Sequence, residues 1–133
     1  MTEVTPQGTY MCGFHGDGTE YGSKAMLLTT GARYRQLRIP GVDDLIGVCV
    51  HFCATCDGVF VFIGHSPNSD LMKDMVKIDD YNFLVTDKTM MTSLPGLFAA
   101  GDVRADSTKQ ATSAVGEGTT AVIMIRKYLE ENA

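Results

Sequence analysis

The residues of this sequence best suited to chemistry are Cys53 and Cys56, which are separated by two residues and followed by Asp57. Two thiols at this spacing can close a small disulfide ring, and they can also share a metal ion. An acid beside the second thiol can exchange a proton with an attacking or departing sulfur. Apolar residues before the pair and a turn-prone Asp-Gly after it place segment 51–58 between a strand and a loop. We therefore predict thiol chemistry at this segment.

A metal site is the alternative interpretation of the same thiols. Cys49 extends the pair to a run of three cysteines, and the remaining ligands of a tetrahedral zinc site would come from Cys12, His15 or His51. A single CxxC lacks the second ligand pair of the usual zinc spacings, so redox use is favoured. Taken alone, Cys12 and Cys49 are most simply interpreted as small apolar fillers.

Composition and charge exclude several classes of function. A chain of 133 residues with 44% hydrophobic and 20% charged residues is typical of one folded globular domain. The net charge of −5 and the lack of a basic run provide no attractive field for nucleic acid. No apolar run approaches the length of about 18 residues that spans a membrane, and the N-terminus does not resemble a secretory signal. We expect a single cytoplasmic domain over residues 1–133.

Strand and turn signals fill the first part of the chain. Segments 9–14 and 19–21 flank a Gly-Asp-Gly turn and predict a β-hairpin. Segment 24–32 is a short apolar run that ends in small residues, which is typical of a strand buried on both faces. Thr30 and Gly31 then lie at the C-terminal edge of that strand, where open α/β sheets bind ligands.

The rest of the chain is predicted to alternate between loops, strands and helices. In order, we predict a loop over 33–44, a strand over 45–50, a buried strand over 59–63, a short helix over 69–77, a strand over 81–86, a buried strand over 97–102 and a helix over 108–130. Ser107 or Thr108 would cap the last helix. Its apolar face would comprise Ala111, Ala114, Val115, Gly118, Val122, Ile125 and Leu129, with Gly116 and Gly118 marking close packing. The expected fold is α/β, with a parallel sheet formed by 25–31, 59–63 and 97–100.

Five motifs resemble those of one family, the low-molecular-weight thioredoxin reductases of the pyridine nucleotide-disulfide oxidoreductases. In chain order they are LLTTGA at 27–32, CATCD at 53–57, FIGHSPN at 62–68, PGLFAAGDV at 95–103 and KQA at 109–111. The resemblance implies a partial FAD domain with a Rossmann-like, three-layer sheet. It also implies thioredoxin-disulfide reductase activity, with FAD as cofactor, NADPH as electron donor and thioredoxin as disulfide substrate.

The resemblance also implies a role for each matching residue. Cys53 would attack the disulfide of thioredoxin, Cys56 would face the flavin, and Asp57 would donate and accept protons. Asp102 would bind the ribityl chain of the flavin. The helix N-terminus would stabilise negative charge on the reduced flavin. The flavin-binding residues implied in this way are Thr30, Gly31, Gly101, Asp102, Val103, Lys109, Gln110 and Ala111.

Two parts of the family's pattern are missing from the sequence. No GxGxxG turn is present to hold the ADP half of FAD, and segment 56–58 continues directly into the apolar run at 59–61 without an NADPH domain. We therefore expect a truncated reductase with half of a FAD site, working as a homodimer or with a complementing chain. A catalytically inactive remnant and a metal-binding CxxC module are the alternatives.

Overall fold

The computed structural model describes residues 1–48, 50, 51 and 58–133, apart from the side chain of Phe60. Within these residues the α/β class is confirmed, and no helix is both long and apolar enough to cross a membrane. The strands are β1 (Glu3–Gln7), β2 (Tyr10–Phe14), β3 (Glu20–Ser23), β4 (Met26–Leu28), β5 (Ala32–Tyr34), β6 (Val50–His51), β7 (Val59–Phe60), β8 (His65–Pro67) and β9 (Leu97–Ala99). The helix α1 (Ala111–Glu131) follows them.

The first three strands form an antiparallel sheet in the order β1-β2-β3. The hairpin β2–β3 confirms the prediction for this segment, and β1 adds a third strand to it. Gly18 adopts a φ of +86° in the connecting turn, and the Thr19 amide donates to Asp17 Oδ1 at 2.9 Å. Val4 and Met11 are buried, so one face of this sheet packs against the core.

A parallel pair, β4–β9, lies at the centre of the molecule. Leu28 pairs with Ala99, and Leu97, Phe98 and Ala99 are all buried, as the apolar run predicts. The parallel pairing predicted for 25–31 and 97–100 is therefore confirmed. The buried residues that form the core cluster are Val4, Met11, Leu28, Met72, Val76, Leu84, Leu97, Ala99 and Val103.

The prediction for 59–63 is wrong. Only Val59 and Phe60 form a strand, and this strand pairs in parallel with β6 instead of joining β4 and β9. Val61 is buried, but Phe62 is 65% exposed and Ile63 is exposed as well. An apolar run indicates which residues can be buried, but it does not indicate which element covers them. The run at 59–63 therefore predicted burial on both faces, which the fold does not provide.

The helix predicted over 69–77 and the strand predicted over 81–86 are also wrong. Segment 69–77 forms successive turns that bury Met72 and Val76 without a regular helix. In segment 81–86, Leu84 is fully buried but makes only isolated bridges to Ile78 and Arg104. Both segments contribute apolar side chains to the core. Turns can place these side chains in the core just as a regular helix or strand would.

The loop predicted over 33–44 is correct except at its ends, where β5 and a short 3₁₀ turn at Asp43–Leu45 occur. Of the strand predicted over 45–50, the described residues show only the first residue of β6, Val50, and an isolated bridge between Ile46 and Val50. β5 forms a two-stranded antiparallel ribbon with β8. This ribbon departs from the edge at which β4 ends.

The final helix begins later than predicted, at Ala111. Gln110 is its N-cap with extended backbone angles, and neither Ser107 nor Thr108 caps it. Lys109 has a φ of +57°, which is incompatible with a right-handed helix at that position. The capping prediction is therefore wrong, because the chain turns sharply just before the helix.

The buried face of α1 agrees with the predicted one only in part, since Ala114, Gly118 and Ile125 are half-buried. Ala121 is fully buried and Ala114 lies against Gly101, whereas the branched residues Val115, Val122 and Leu129 are exposed. A Cβ added at Gly116 or Gly118 would meet no described atom within 4 Å outside the helix's own backbone, so these glycines do not mark close packing in the described part of the chain. Small alanines, not the larger apolar residues, therefore let the helix approach the sheet.

Candidate functional site

The C-terminal ends of β4 and β9 place two of the predicted site segments at one edge of the parallel pair. The amide of Ala100 donates to the carbonyl of Leu28 at 3.0 Å, which continues the pairing past the last strand residue. The chain after Leu28 leads to Thr30 and Gly31, and the chain after Ala100 leads to Gly101 and Asp102. Because both strands end at the same edge, these residues leave the sheet side by side.

Thr30 and Gly31 are held by Asn68, which follows β8. The Thr30 hydroxyl donates to the Asn68 carbonyl at 2.7 Å, and the Asn68 side-chain amide donates to the Thr30 carbonyl at 2.8 Å. The Asn68 backbone amide donates to the Gly31 carbonyl at 2.9 Å. Gly31 has a φ of +70°, and apart from its chain neighbours no described atom lies within 4 Å of the position that a Cβ would take. The segment is thus fixed in place but leaves its backbone uncovered.

Asp102 projects from a tight turn that follows β9. Gly101 has a φ of +80°, and a Cβ there would lie 3.4 Å from the Ala114 Cβ, so the turn packs closely against α1. The Oδ1 atom of Asp102 is buried, yet no described residue donates a hydrogen bond to it. Val103, the next residue, is fully buried and its carbonyl accepts a hydrogen bond from the Leu84 amide at 3.0 Å. A buried acceptor without a donor is costly unless a bound group supplies the donor.

Glu117 of α1 fixes this turn through a nearly buried ion pair. Its Oε2 accepts from the Gly101 amide at 2.7 Å and from Arg104 Nε at 3.2 Å, and its Oε1 accepts from Arg104 Nη2 at 2.9 Å. The two side chains are only 14% and 11% exposed for Arg104 and Glu117 respectively. Burial alone would raise the pKa of Glu117, but hydrogen bonds from Arg104 and the Gly101 amide lower it overall.

Lys109 is turned back into the loop before the helix. Its Nζ donates to the Arg104 carbonyl at 2.7 Å and lies 4.0 Å from the centre of the Phe83 ring. Burial, the largest influence, and the Arg104 charge lower the pKa of Lys109. Gln110 and Ala111 are exposed at the start of α1, and no side chain caps that end within the described residues. The first amides of the helix are therefore available to a negative group.

The three residues predicted to be catalytic, Cys53, Cys56 and Asp57, lie outside the described residues. Cys12 is buried on β2, where burial and the neighbouring Glu20 carboxylate raise the pKa of its thiol. Such a thiol is a poor nucleophile. Among residues 1–48, 50, 51 and 58–133, no three histidine, cysteine or acidic side chains are grouped as metal ligands.

Sequence comparison shows which known proteins this chain is similar to. The family profile described as "Pyridine nucleotide-disulphide oxidoreductase" matches residues 53–118. A 34.2 kDa protein in the rubredoxin operon of Clostridium pasteurianum is 47% identical over 73 residues, which cover 55% of this chain and 24% of that protein. The thioredoxin reductase of Peptoclostridium acidaminophilum is 43% identical over 75 residues, covering 56% and 24%. Over these residues the chain is therefore similar to pyridine nucleotide-disulphide oxidoreductases and to proteins named thioredoxin reductase.

Structural comparison confirms the fold of this chain. The crystal structure of thioredoxin reductase from Streptococcus pyogenes superposes with a TM-score of 0.83 at 22% identity, covering 98% of this chain and 73% of that one. The Lactococcus lactis thioredoxin reductase gives a TM-score of 0.81 at 20% identity, covering 98% and 74%. The chain spans about a quarter of the length of the curated relatives that it matches. Identity at this level to the solved structures establishes a shared fold.

The sequence analysis missed Arg104 and Glu117, although both hold the turn that carries Asp102. Glu117 could have been found in the sequence because it is the only acid between Ser107 and Leu129. The first turns of the helix around it consist of small and apolar residues. A single acid among such residues indicates a specific partner, because an isolated carboxylate near a packed face needs compensation. The arginine that compensates it could not be identified from the spacing alone.

Proposed function

We propose that this chain carries the flavin-facing edge and the dithiol of a thioredoxin-disulfide reductase, with FAD as its cofactor. The observation that supports the proposal most directly is the buried Oδ1 of Asp102, which receives no hydrogen bond within the described residues. This atom lies one residue beyond Gly101, at the edge where β4 and β9 end. A bound group with hydroxyl donors would satisfy it.

The residues at this edge fit a flavin in three respects. The Asp102 carboxylate would accept a hydrogen bond from a ribityl hydroxyl. The uncovered backbone at Gly31 would permit close approach of a planar ring, since no side chain stands there. The amides at the start of α1, near Gln110 and Ala111, would stabilise negative charge. FAD, when bound, would carry electrons from NADPH to the dithiol. Lys109 would act indirectly, since its Nζ is bound to the Arg104 carbonyl.

Cys53, Cys56 and Asp57 would transfer the electrons to thioredoxin. The Cys53 thiolate would attack the substrate disulfide, forming a mixed disulfide and releasing one substrate thiolate. Cys56 would then attack the Cys53 sulfur, releasing the second substrate thiol and leaving a Cys53–Cys56 disulfide with two electrons transferred. Asp57 would deprotonate and reprotonate the exchanging sulfurs. These roles rest on the family resemblance and on relatives named thioredoxin reductase.

Residues 1–133 are proposed to form one domain that acts in the cytoplasm. It would receive electrons from NADPH through a homodimeric partner or a complementing chain. The relatives on which this rests match about a quarter of their own length, so these features are part of the proposal.

A visible absorption spectrum of the purified chain, recorded before and after addition of FAD, tests the flavin site. A bound flavin band that weakens in the Asp102→Asn variant supports the proposal. Asp106→Asn is the matched control, because Asp106 is an exposed acid of the same loop whose φ of +59° suits asparagine equally well. No bound flavin in excess FAD would refute the cofactor assignment.

Thiol counting tests the dithiol separately. The reduced chain is mixed with oxidised thioredoxin, and free thiols on thioredoxin are measured by alkylation and mass spectrometry. Cys53→Ser should abolish the transfer, Cys56→Ser should trap a mixed disulfide, and Cys12→Ala should change nothing because that thiol is buried. Equal transfer by wild type and Cys53→Ser would refute the assigned roles.

A further inference from the structure

A basic groove lies on the β5–β8 ribbon, and none of its residues belongs to the proposed flavin site. It encloses about 730 Å³ and is lined by three arginines, Arg33, Arg35 and Arg38, together with Tyr34 and Ser66 among others. A volume of this size is within the range of small-molecule sites, which run from about 300 to 1,000 Å³.

The register of the ribbon brings two of the arginines and a hydroxyl together. Arg33 pairs with Ser66, and the Arg35 amide donates to the Gly64 carbonyl at 2.9 Å. Because side chains alternate along a strand, Arg33 and Arg35 extend from the same face, with Ser66 opposite Arg33. A Cβ on Gly64 would lie 3.9 Å from Arg35 Cδ and 4.0 Å from its Nη1. The Arg35 side chain therefore lies close to the backbone of Gly64, where the absence of a side chain leaves room for the guanidinium group.

The positive charge of this groove is not compensated within the described residues. None of the three arginines has a carboxylate within 4.0 Å there, since the ion pairs present involve other residues. The sequence from 21 to 42 contains four cationic residues and no acid, and 58–69 contains no acid either, although the chain carries a net charge of −5. Like charges gathered in one concave site repel one another, so an anion bound among them would be favoured.

We propose that this groove binds the diphosphate group of a small molecule. Guanidinium groups donate paired hydrogen bonds that match phosphate oxygens, and the Ser66 hydroxyl adds a further donor beside Arg33. The Tyr34–His65 pair belongs to the other face of the ribbon, because Tyr34 stands between Arg33 and Arg35 along the strand, so it adds nothing to the recognition of the anion. The ligand class that fits is therefore a small molecule that carries a diphosphate group.

Isothermal titration calorimetry of the full chain with inorganic pyrophosphate at low salt tests the proposal. Arg33→Gln and Arg35→Gln should each weaken binding by on the order of tenfold to a hundredfold, as expected for loss of a charge-assisted hydrogen bond. Arg35→Lys should restore only part of the affinity, because lysine keeps the charge but not the paired donors. Lys24→Gln is the matched control, since Lys24 belongs to the same acid-free segment but does not line the groove.

Two further arms define the ligand and separate this site from the flavin edge. ADP should also bind, because it carries the same diphosphate group, and adenosine, which lacks that group, should bind far more weakly than ADP or pyrophosphate. Asp102→Asn should leave pyrophosphate affinity unchanged, so the groove is tested whether or not the chain binds FAD. Absence of pyrophosphate and ADP binding, an equal loss with Lys24→Gln, or adenosine binding as tight as that of ADP would overturn the proposal. Circular dichroism of each variant verifies that the exposed substitutions leave the fold intact.

Discussion

Removal of the Glu117 carboxylate should destabilise the fold far more than removal of any exposed acid on the same helix. Glu117→Ala deletes the partner of Arg104, whose guanidinium is 14% exposed, and also deletes the acceptor of the Gly101 amide. Breaking a buried ion pair from one side costs about 3–5 kcal/mol because the remaining charge stays buried and unpaired. The Thr86 hydroxyl still accepts from Arg104, and both side chains retain some contact with water. We therefore expect a loss of about 3 kcal/mol in the free energy of unfolding.

The same helix offers a matched control. Glu130 pairs with Arg126 one turn earlier at 2.9 Å, but these side chains are 62% and 82% exposed. An exposed pair at this spacing contributes about 0.3–0.5 kcal/mol, so Glu130→Ala should have little effect. Glu117→Gln should fall between the two alanine variants, because the amide oxygen can still accept from the Gly101 amide while the charge is lost.

Urea unfolding followed by circular dichroism measures these differences, with the slope of the transition checked for each variant. The double variant Arg104→Met/Glu117→Leu should recover much of the stability lost by Glu117→Ala, because no charge is then left buried. The reasoning would be refuted if Glu117→Ala and Glu130→Ala had the same unfolding free energy within about 0.5 kcal/mol.

Three further predictions follow from the described residues. The pKa of Glu117 in the folded chain lies below its ordinary value of 4.5. The ionised Glu117 carboxylate therefore stabilises the fold fully above pH 4.5, and this stabilisation is lost as the pH falls through the lowered pKa. The urea midpoints of wild type and Glu117→Gln should accordingly converge in acid. Phe98→Ala removes a ring that is 1% exposed and should cost about 3–5 kcal/mol in the free energy of unfolding, measured by urea titration. Gly96→Ala should lower the thermal midpoint of unfolding more than Gly18→Ala. Both residues have positive φ, but only at Gly96 would the added Cβ lie 2.9 Å from the Lys24 carbonyl oxygen. Equal midpoints for the two variants would contradict this prediction.

The parts of the fold that the sequence predicts are those specified by local chemistry or by complete burial. The hairpin between 9–14 and 19–21 is determined by its turn residues, which adopt backbone angles that few other residues tolerate. The runs at 24–32 and 97–102 are apolar on both faces, and a strand in that environment needs neighbours on every side. Their pairing places Thr30, Gly31, Gly101 and Asp102 at one edge.

The parts of the fold that the sequence does not predict depend on which strands and helices pack against one another. The run at 59–63 is more uniformly apolar than 97–102, yet its pairing with β6 leaves Phe62 and Ile63 exposed. The periodicity of α1 predicts a face that includes Ala114 together with Val115 and Val122. The Gly101 turn does pack against Ala114, but the buried face lies towards Ala121 and leaves the two valines exposed. The Arg104–Glu117 pair depends on the same tertiary contact, and although Glu117 is the only acid of its stretch, the sequence does not show that Arg104 is its partner.

The pairing of β4 with β9 also determines how the molecule reaches its native state. Leu28 and Ala99 are adjacent in space but separated by more than half of the sequence. The β1–β2–β3 sheet needs only short loops and can form within microseconds, whereas the parallel pair must first close a long loop at an entropic cost. Refolding of this chain should therefore show local strands early and the edge that carries Asp102 late, which makes assembly of that edge the step that limits the folding rate.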